Sequence, residues 1–210
     1  MQAANNAIPA FWSESWRWAA PAWRGKYGAP SGEVDACAGR LLYSEWAARF
    51  GLPQRWRAPA DARWVALVQG SPAGLQAVVA VLGRIAFLRA GAPIPVCDAA
   101  ASDRWLAQAL KYRDVNSMRV RLVAPNSHLT SPRRSGVSVL CAMARRGWPD
   151  AESRFAMLAE PEALGVPGLA SGPGAASSLA IDSIDVSRCL SICGAVLRRW
   201  LAESVEEGGH

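Results

Sequence analysis

Lysine and histidine are nearly missing from this chain. Lys26 and Lys111 are the only lysines, and His128 and His210 the only histidines. The scarcity of histidine removes the commonest general base and metal ligand. The sequence also lacks a glycine-rich phosphate loop ending in Lys and Ser or Thr, a nucleophile elbow, and paired histidines at helical spacing. His128 stands among Ser127, Thr130 and Ser131 in loop-like text, and reads as a solvated residue. A nucleophile there would also need an oriented base and an oxyanion site. Asp182 and Asp185 are close in sequence, but acids at the start of a helix serve its dipole. No catalytic, metal-binding or cofactor-binding residue is expected.

Cysteine is present without a framework. Cys37, Cys97, Cys141, Cys189 and Cys193 are odd in number and scattered through apolar text. That pattern suits free, buried thiols in a reducing compartment. Cys189 and Cys193 lie one helical turn apart, but neither a histidine nor a second cysteine pair accompanies them. The N-terminus has no basic residue before Arg17 and no apolar run of signal-peptide length, so no export signal is read there.

What is abundant is arginine, tryptophan and alanine. The net charge is +6 and the isoelectric point near 9.5. Such a balance permits an acidic protein, nucleic acid or an anionic membrane as partner. All but two of the 23 basic residues are arginine, which together with the alanine-rich text resembles the coding bias of a GC-rich bacterial genome. The arginine excess is therefore weak support for nucleic-acid binding. Arg133-Arg134, Arg145-Arg146 and Arg198-Arg199 are doublets rather than a stripe. They fit helix ends, or an arginine-rich contact surface for an acidic partner. Four of the ten tryptophans (Trp12, Trp16, Trp18 and Trp23) crowd the N-terminal arm. They either pack on the body or insert into a partner's groove.

The segment "LQAVVAVLGRIAFLRAG", Leu75 to Gly91, is the most apolar window. A membrane span needs roughly 20 apolar residues. Here about 14 separate Leu75 from Leu88, with Arg84 among them, and a central arginine costs at least about 2.5 kcal/mol at mid-membrane. Ser71 as cap, Pro72 at the first position and Gly91 past the end mark a helix. It is apolar nearly all round, so it should be central, with Arg84 and Arg89 reaching the protein edge.

Other helices are read from Ser31 to Phe50 (stopped by Gly51), from Pro59 to Gly70, from Ser102 through Leu110, from Ser135 to Arg146, and from Pro149 onward. "VNSMRVRLVAP" alternates, so a short strand competes there with a helical turn. "LGVPGLASGPGAASS" is linker text. A last helix, Ser183 to Glu206, carries Leu190, Cys193, Leu197, Trp200 and Leu201 along one stripe and either folds back or reaches a partner. The expectation is a mainly α, single compact helical domain with one or two short strands. It divides into a Trp-rich arm (1–30) that its prolines and glycines make irregular, a helical body (31–163), the linker (164–178) and a C-terminal helix and tail (179–210).

The stretches "GLPQRWRAPADARWVAL" and "LGRIAFLRAGAPIPVCDAAASDRWLAQAL", with "SVLCAMARRGWPDAESRFAMLAEP", resemble the SctK accessory proteins of bacterial type III secretion systems (the YscK, PscK, OrgA and MxiK group). The resemblance covers roughly Tyr43 to Pro161 and consists of loose Leu, Arg and Pro patterns. The family's arginine-rich turn after the central helix has no counterpart in "GAPIPVCDA". The resemblance implies a helical, non-enzymatic cytoplasmic adaptor. Such an adaptor sits at the inner membrane through two partners: the cytoplasmic domain of an SctD-like ring protein and an SctQ-like sorting-platform protein. Nucleic acid is not expected. A two-partner adaptor needs two faces, and the candidates are the edge with Arg84 and Arg89, and the last helix with Arg198, Arg199 and Trp200. The alternatives are a basic helical regulator or nucleic-acid binder, and an enzyme of an unrecognised helical family.

Overall fold

The structure is a computed structural model that describes residues 8–27, 35–89, 131–160 and 184–207. Helices and one 3-10 turn make up its regular structure, with no strand among the described residues. The fold is mainly α, as expected. The helix read from Ser102, the alternating segment, His128, Cys97 and the linker lie outside the described residues.

The N-terminal arm forms three short helices: α1 (Ala10–Ser13), α2 (Ser15–Trp18) and α3 (Pro21–Tyr27). This is more helix than its proline and glycine content suggested. Pro9 and Pro21 stand where a proline is tolerated, before or at a first turn. The arm packs on the body: Trp12, Trp16, Trp18 and Trp23 are all buried.

Helix α4 (Ala36–Phe50) is capped by Asp35, not Ser31; the Asp35 carboxylate accepts from the N–H groups of Cys37 (2.8 Å) and Ala38 (3.0 Å). These bonds also hold its pKa below the usual value. The helix stops at Gly51, whose φ of 61° is a conformation that glycine adopts without strain. Helix α5 (Arg63–Gln69) starts later than Pro59, where Asp61 accepts from the Arg63 N–H at 3.0 Å, and it ends at Gly70.

Helix α6 (Pro72–Arg89) has the expected start: the Ser71 hydroxyl accepts from the Gly74 N–H at 3.0 Å. Helix α7 (Pro132–Gly147) begins three residues before the expected Ser135. Ser131 caps it by accepting from the Arg134 N–H (3.3 Å), and Pro132 is its first residue, so "SPRRS" is a helix start rather than loop. A 3-10 turn (Pro149–Ala151) leads into α8 (Glu152–Ala156), and α9 (Val186–Glu207) closes the chain, with the Asp185 carboxylate accepting from the Arg188 N–H at 3.1 Å.

Helix α6 is the centre. It is the one described helix long and apolar enough to cross a membrane, yet 61% of that window is buried inside the protein. Its closest neighbour is α7. A β-carbon on Gly83 would lie 1.7 Å from the Pro132 carbonyl oxygen, and one on Gly136 1.9 Å from that of Val79. The two backbones therefore touch, which lets Val79, Leu82, Val139 and Leu140 pack around the crossing. Helix α9 lies on α5 and α6, with Leu197 and Trp200 against Gly74. A second, smaller core joins the arm to α4: Trp16, Ala19, Ala20 and Trp23 meet Trp46, Ala47, Phe50, Leu52 and Met157.

Candidate protein-interaction surfaces

The arginines singled out in the sequence divide between core and surface. Arg84 does not reach the edge: it is 1% exposed, against the expectation. It sits within the run Val81 to Phe87, all of which is buried, so no face of α6 is left there for it to reach solvent. Arg89 is exposed at the end of α6, beside Leu88.

Helix α9 folds back on the body. Cys189, Leu190, Ile192, Cys193, Val196 and Leu197 form its buried face. Trp200 is half-buried at Gly74, where a β-carbon would meet its ring at 3.2 Å, so it belongs to the α6–α9 contact. Leu201, read into the same stripe, is instead 51% exposed. Arg188, Arg198 and Arg199 point outward. Arg188 pairs with Asp185 at 3.3 Å and Arg199 with Glu203 at 2.7 Å. Arg198 makes no ion pair or hydrogen bond among the described residues. The outer face thus combines cations with one large exposed apolar side chain.

Arg154, passed over in the sequence, is a buried polar group bonded to several elements. It is 2% exposed and makes no ion pair among the described residues. Its guanidinium carbon lies 3.6 Å from the centroid of the Trp12 ring. Nε donates to the Ser15 hydroxyl (3.1 Å) and toward the Trp12 carbonyl (3.4 Å). Nη2 donates to the Tyr43 hydroxyl (3.0 Å) and the Pro53 carbonyl (2.9 Å). Burial pulls its pKa down to about 10, a shift that the Tyr43 contact partly opposes. One side chain from α8 therefore ties together the arm, α4 and the segment after α4. The only signal in the sequence was an arginine followed directly by the apolar run Phe155 to Leu158.

That segment, residues 51–62, is irregular but held. The Tyr43 hydroxyl donates to the Gln54 carbonyl (2.9 Å), and Trp148 Nε1 donates to the Arg57 carbonyl (3.1 Å). The Trp56 ring stands edge-on to Trp12 (5.1 Å) and Trp148 (5.5 Å). Arg55 and Arg57 are exposed on either side of it.

An open groove of about 170 Å³ lies between the arm and α4, lined by Ser13, Glu14, Trp16, Arg17, Asp35, Gly39, Arg40 and Tyr43. Sites for small molecules usually enclose roughly 300 Å³ or more. Glu14 and Arg17 pair across 3.0 Å at its rim. Among the described residues no three His, Cys, Asp or Glu side chains converge as metal ligands. Cys141 and Cys189 are buried, which pushes each thiol up to about 12, and the Cys193 thiol is also raised by burial. Cys37 is exposed.

No protein-family model matches the chain, and no curated protein or solved structure matches it either.

Proposed function

We propose that this chain is a protein-binding adaptor rather than an enzyme, of the SctK kind that its middle stretch resembles. In that role it joins the cytoplasmic domain of an SctD-like inner-membrane ring protein to an SctQ-like sorting-platform protein, at the cytoplasmic face of the membrane. The observation that carries this reading is the two-sidedness of α9. Its apolar stripe up to Leu197 packs on α5, α6 and α7, while Arg188, Arg198, Arg199 and Leu201 face outward. Arginine is enriched in protein interfaces, and here it stands on the outer face together with an exposed leucine. The burial of Arg84 leaves Arg89 and Leu88 as what the α6 end can offer a second partner.

The test is co-purification of the full chain with a ring-protein cytoplasmic domain and, separately, with an SctQ-like protein. Association with both at micromolar concentration supports the adaptor. Association with neither removes it.

A further inference from the structure

The segment between α4 and α5 spends its inward groups on anchoring. Leu52 is buried in the second core, and its N–H donates to the Ala47 carbonyl at 2.9 Å. Pro53 offers its carbonyl to Arg154 (2.9 Å), Gln54 to Tyr43 (2.9 Å) and Arg57 to Trp148 (3.1 Å). Trp56 is wedged edge-on between Trp12 and Trp148. Four elements thus hold a stretch with no regular secondary structure. Exposed on the outside, beside Gln54, are two guanidiniums: Arg55 and Arg57 make no side-chain hydrogen bond or ion pair among the described residues. The next acid along the chain, Asp61, is already engaged by Arg63 at 2.6 Å.

We propose that Arg55 and Arg57 form a docking point for an acidic segment of a partner protein. A loop whose backbone is fixed before binding loses little entropy on binding, so its contacts convert more fully into affinity. The buried Arg154, costly without a carboxylate, gains a purpose as the positioning residue that sets this loop. Residues two apart have Cα atoms roughly 6–7 Å apart. That spacing suits two carboxylates one turn apart on a helix, or at alternate positions of an extended peptide. Arginine can grip each carboxylate through two parallel N–H bonds. Nucleic acid fits less well. Two cations are not a stripe that follows a phosphate backbone, and the Trp56 ring is occupied by Trp12 and Trp148 rather than offered for base stacking. The inference holds for any protein-binding role, and its failure leaves the co-purification test standing.

Fluorescence anisotropy of the full chain tests it, with three labelled probes: a Glu-Leu-Glu repeat peptide, its Gln-for-Glu counterpart and an oligothymidine of equal length. The acidic peptide should bind and the Gln peptide should not. The pair Arg55→Ala and Arg57→Ala should weaken the acidic peptide about tenfold. Lys at both positions should restore only part of the affinity, and Arg49→Ala, at an exposed arginine paired with Glu45 at 3.6 Å, should change nothing. Unfolding temperatures are measured alongside; if the alanine variant melts early, Gln at both positions replaces it. The proposal is overturned if the acidic peptide fails to bind, if the double variant binds it like the parent, or if Arg49→Ala weakens it equally. Tighter binding of oligothymidine, lost in the same double variant, would make the loop a nucleic-acid contact instead.

Discussion

Gly83 and Gly136 face each other where α6 and α7 cross, and the backbone of the opposite helix fills the side-chain space of each. A β-carbon on Gly83 would lie 3.1 Å from the Gly136 amide nitrogen, and one on Gly136 would lie 3.0 Å from that of Gly83. Glycine inside a helix costs about 1 kcal/mol relative to alanine. The crossing offsets that cost by letting the core close on both sides.

Alanine at either glycine should therefore destabilise the protein by about 3 kcal/mol, because the obstacle is backbone and a helix must shift. Gly39, inside α4, has nothing within 4 Å of its β-position. There alanine should raise stability, by up to about 1 kcal/mol. Thermal melts of the three variants check the contrast in sign.

The two glycines show why the core was only half legible. The boundaries of α6 could be read from Ser71, Pro72 and the apolar text, and the start of α9 fell within a few residues. Those features are local. The pairing of Gly83 with Gly136 is not, and neither is the burial of Arg84, which depends on elements that cover a residue from other parts of the chain. Snorkelling was a sound expectation for an isolated helix, and tertiary packing overrode it. The candidate surface was legible in the same uneven way. Arg198 and Arg199 were singled out because a charged pair beside an apolar stripe is a local pattern, and both are exposed. The 51–62 segment was not, since its anchors include Trp148 and Arg154, far along the chain, besides Tyr43 of the preceding helix.

Replacing Arg154 by methionine should remove its bonds to Ser15, Tyr43 and Pro53 while filling much of its volume. The loss of these bonds outweighs relief of the buried charge only if the arm and loop depend on them. On this account they do, and the variant should lose about 2–3 kcal/mol. Lysine should not rescue it, because a point charge cannot reproduce the planar stack on Trp12. Denaturant melts and tryptophan emission report both.

The Arg84→Glu variant should be destabilised by about 3 kcal/mol or more, since it inverts a buried charge. Arg89→Glu should stay within about 0.5 kcal/mol of the parent, as exposed positions do. Equal effects at both sites would place Arg84 outside the core.

Thiol labelling read by mass spectrometry should modify Cys37 quickly and Cys141, Cys189 and Cys193 only on unfolding. The same thiols set an alkaline limit. Each folded pKa is raised above the ordinary 9.0, so between pH 9 and about 12 the native state holds protons that the unfolded chain releases. Their stabilising contribution is complete below pH 9 and falls above it, by at most about 1.4 kcal/mol per pH unit for each thiol. Arg154 acts in the opposite direction, but only above its lowered value of about 10. Melts between pH 8 and 10 should therefore show a decline, shallower in a Cys189→Ala and Cys193→Ala variant.

The most direct measurement is calorimetric titration of the chain with an SctD-like cytoplasmic domain and with an SctQ-like protein, before and after Arg198→Glu and Arg199→Glu. The adaptor account predicts that binding to one partner falls sharply, binding to the other persists, and the unfolding temperature is unchanged. Absence of binding to both partners by the parent chain, or loss of binding only in step with loss of the fold, would contradict it.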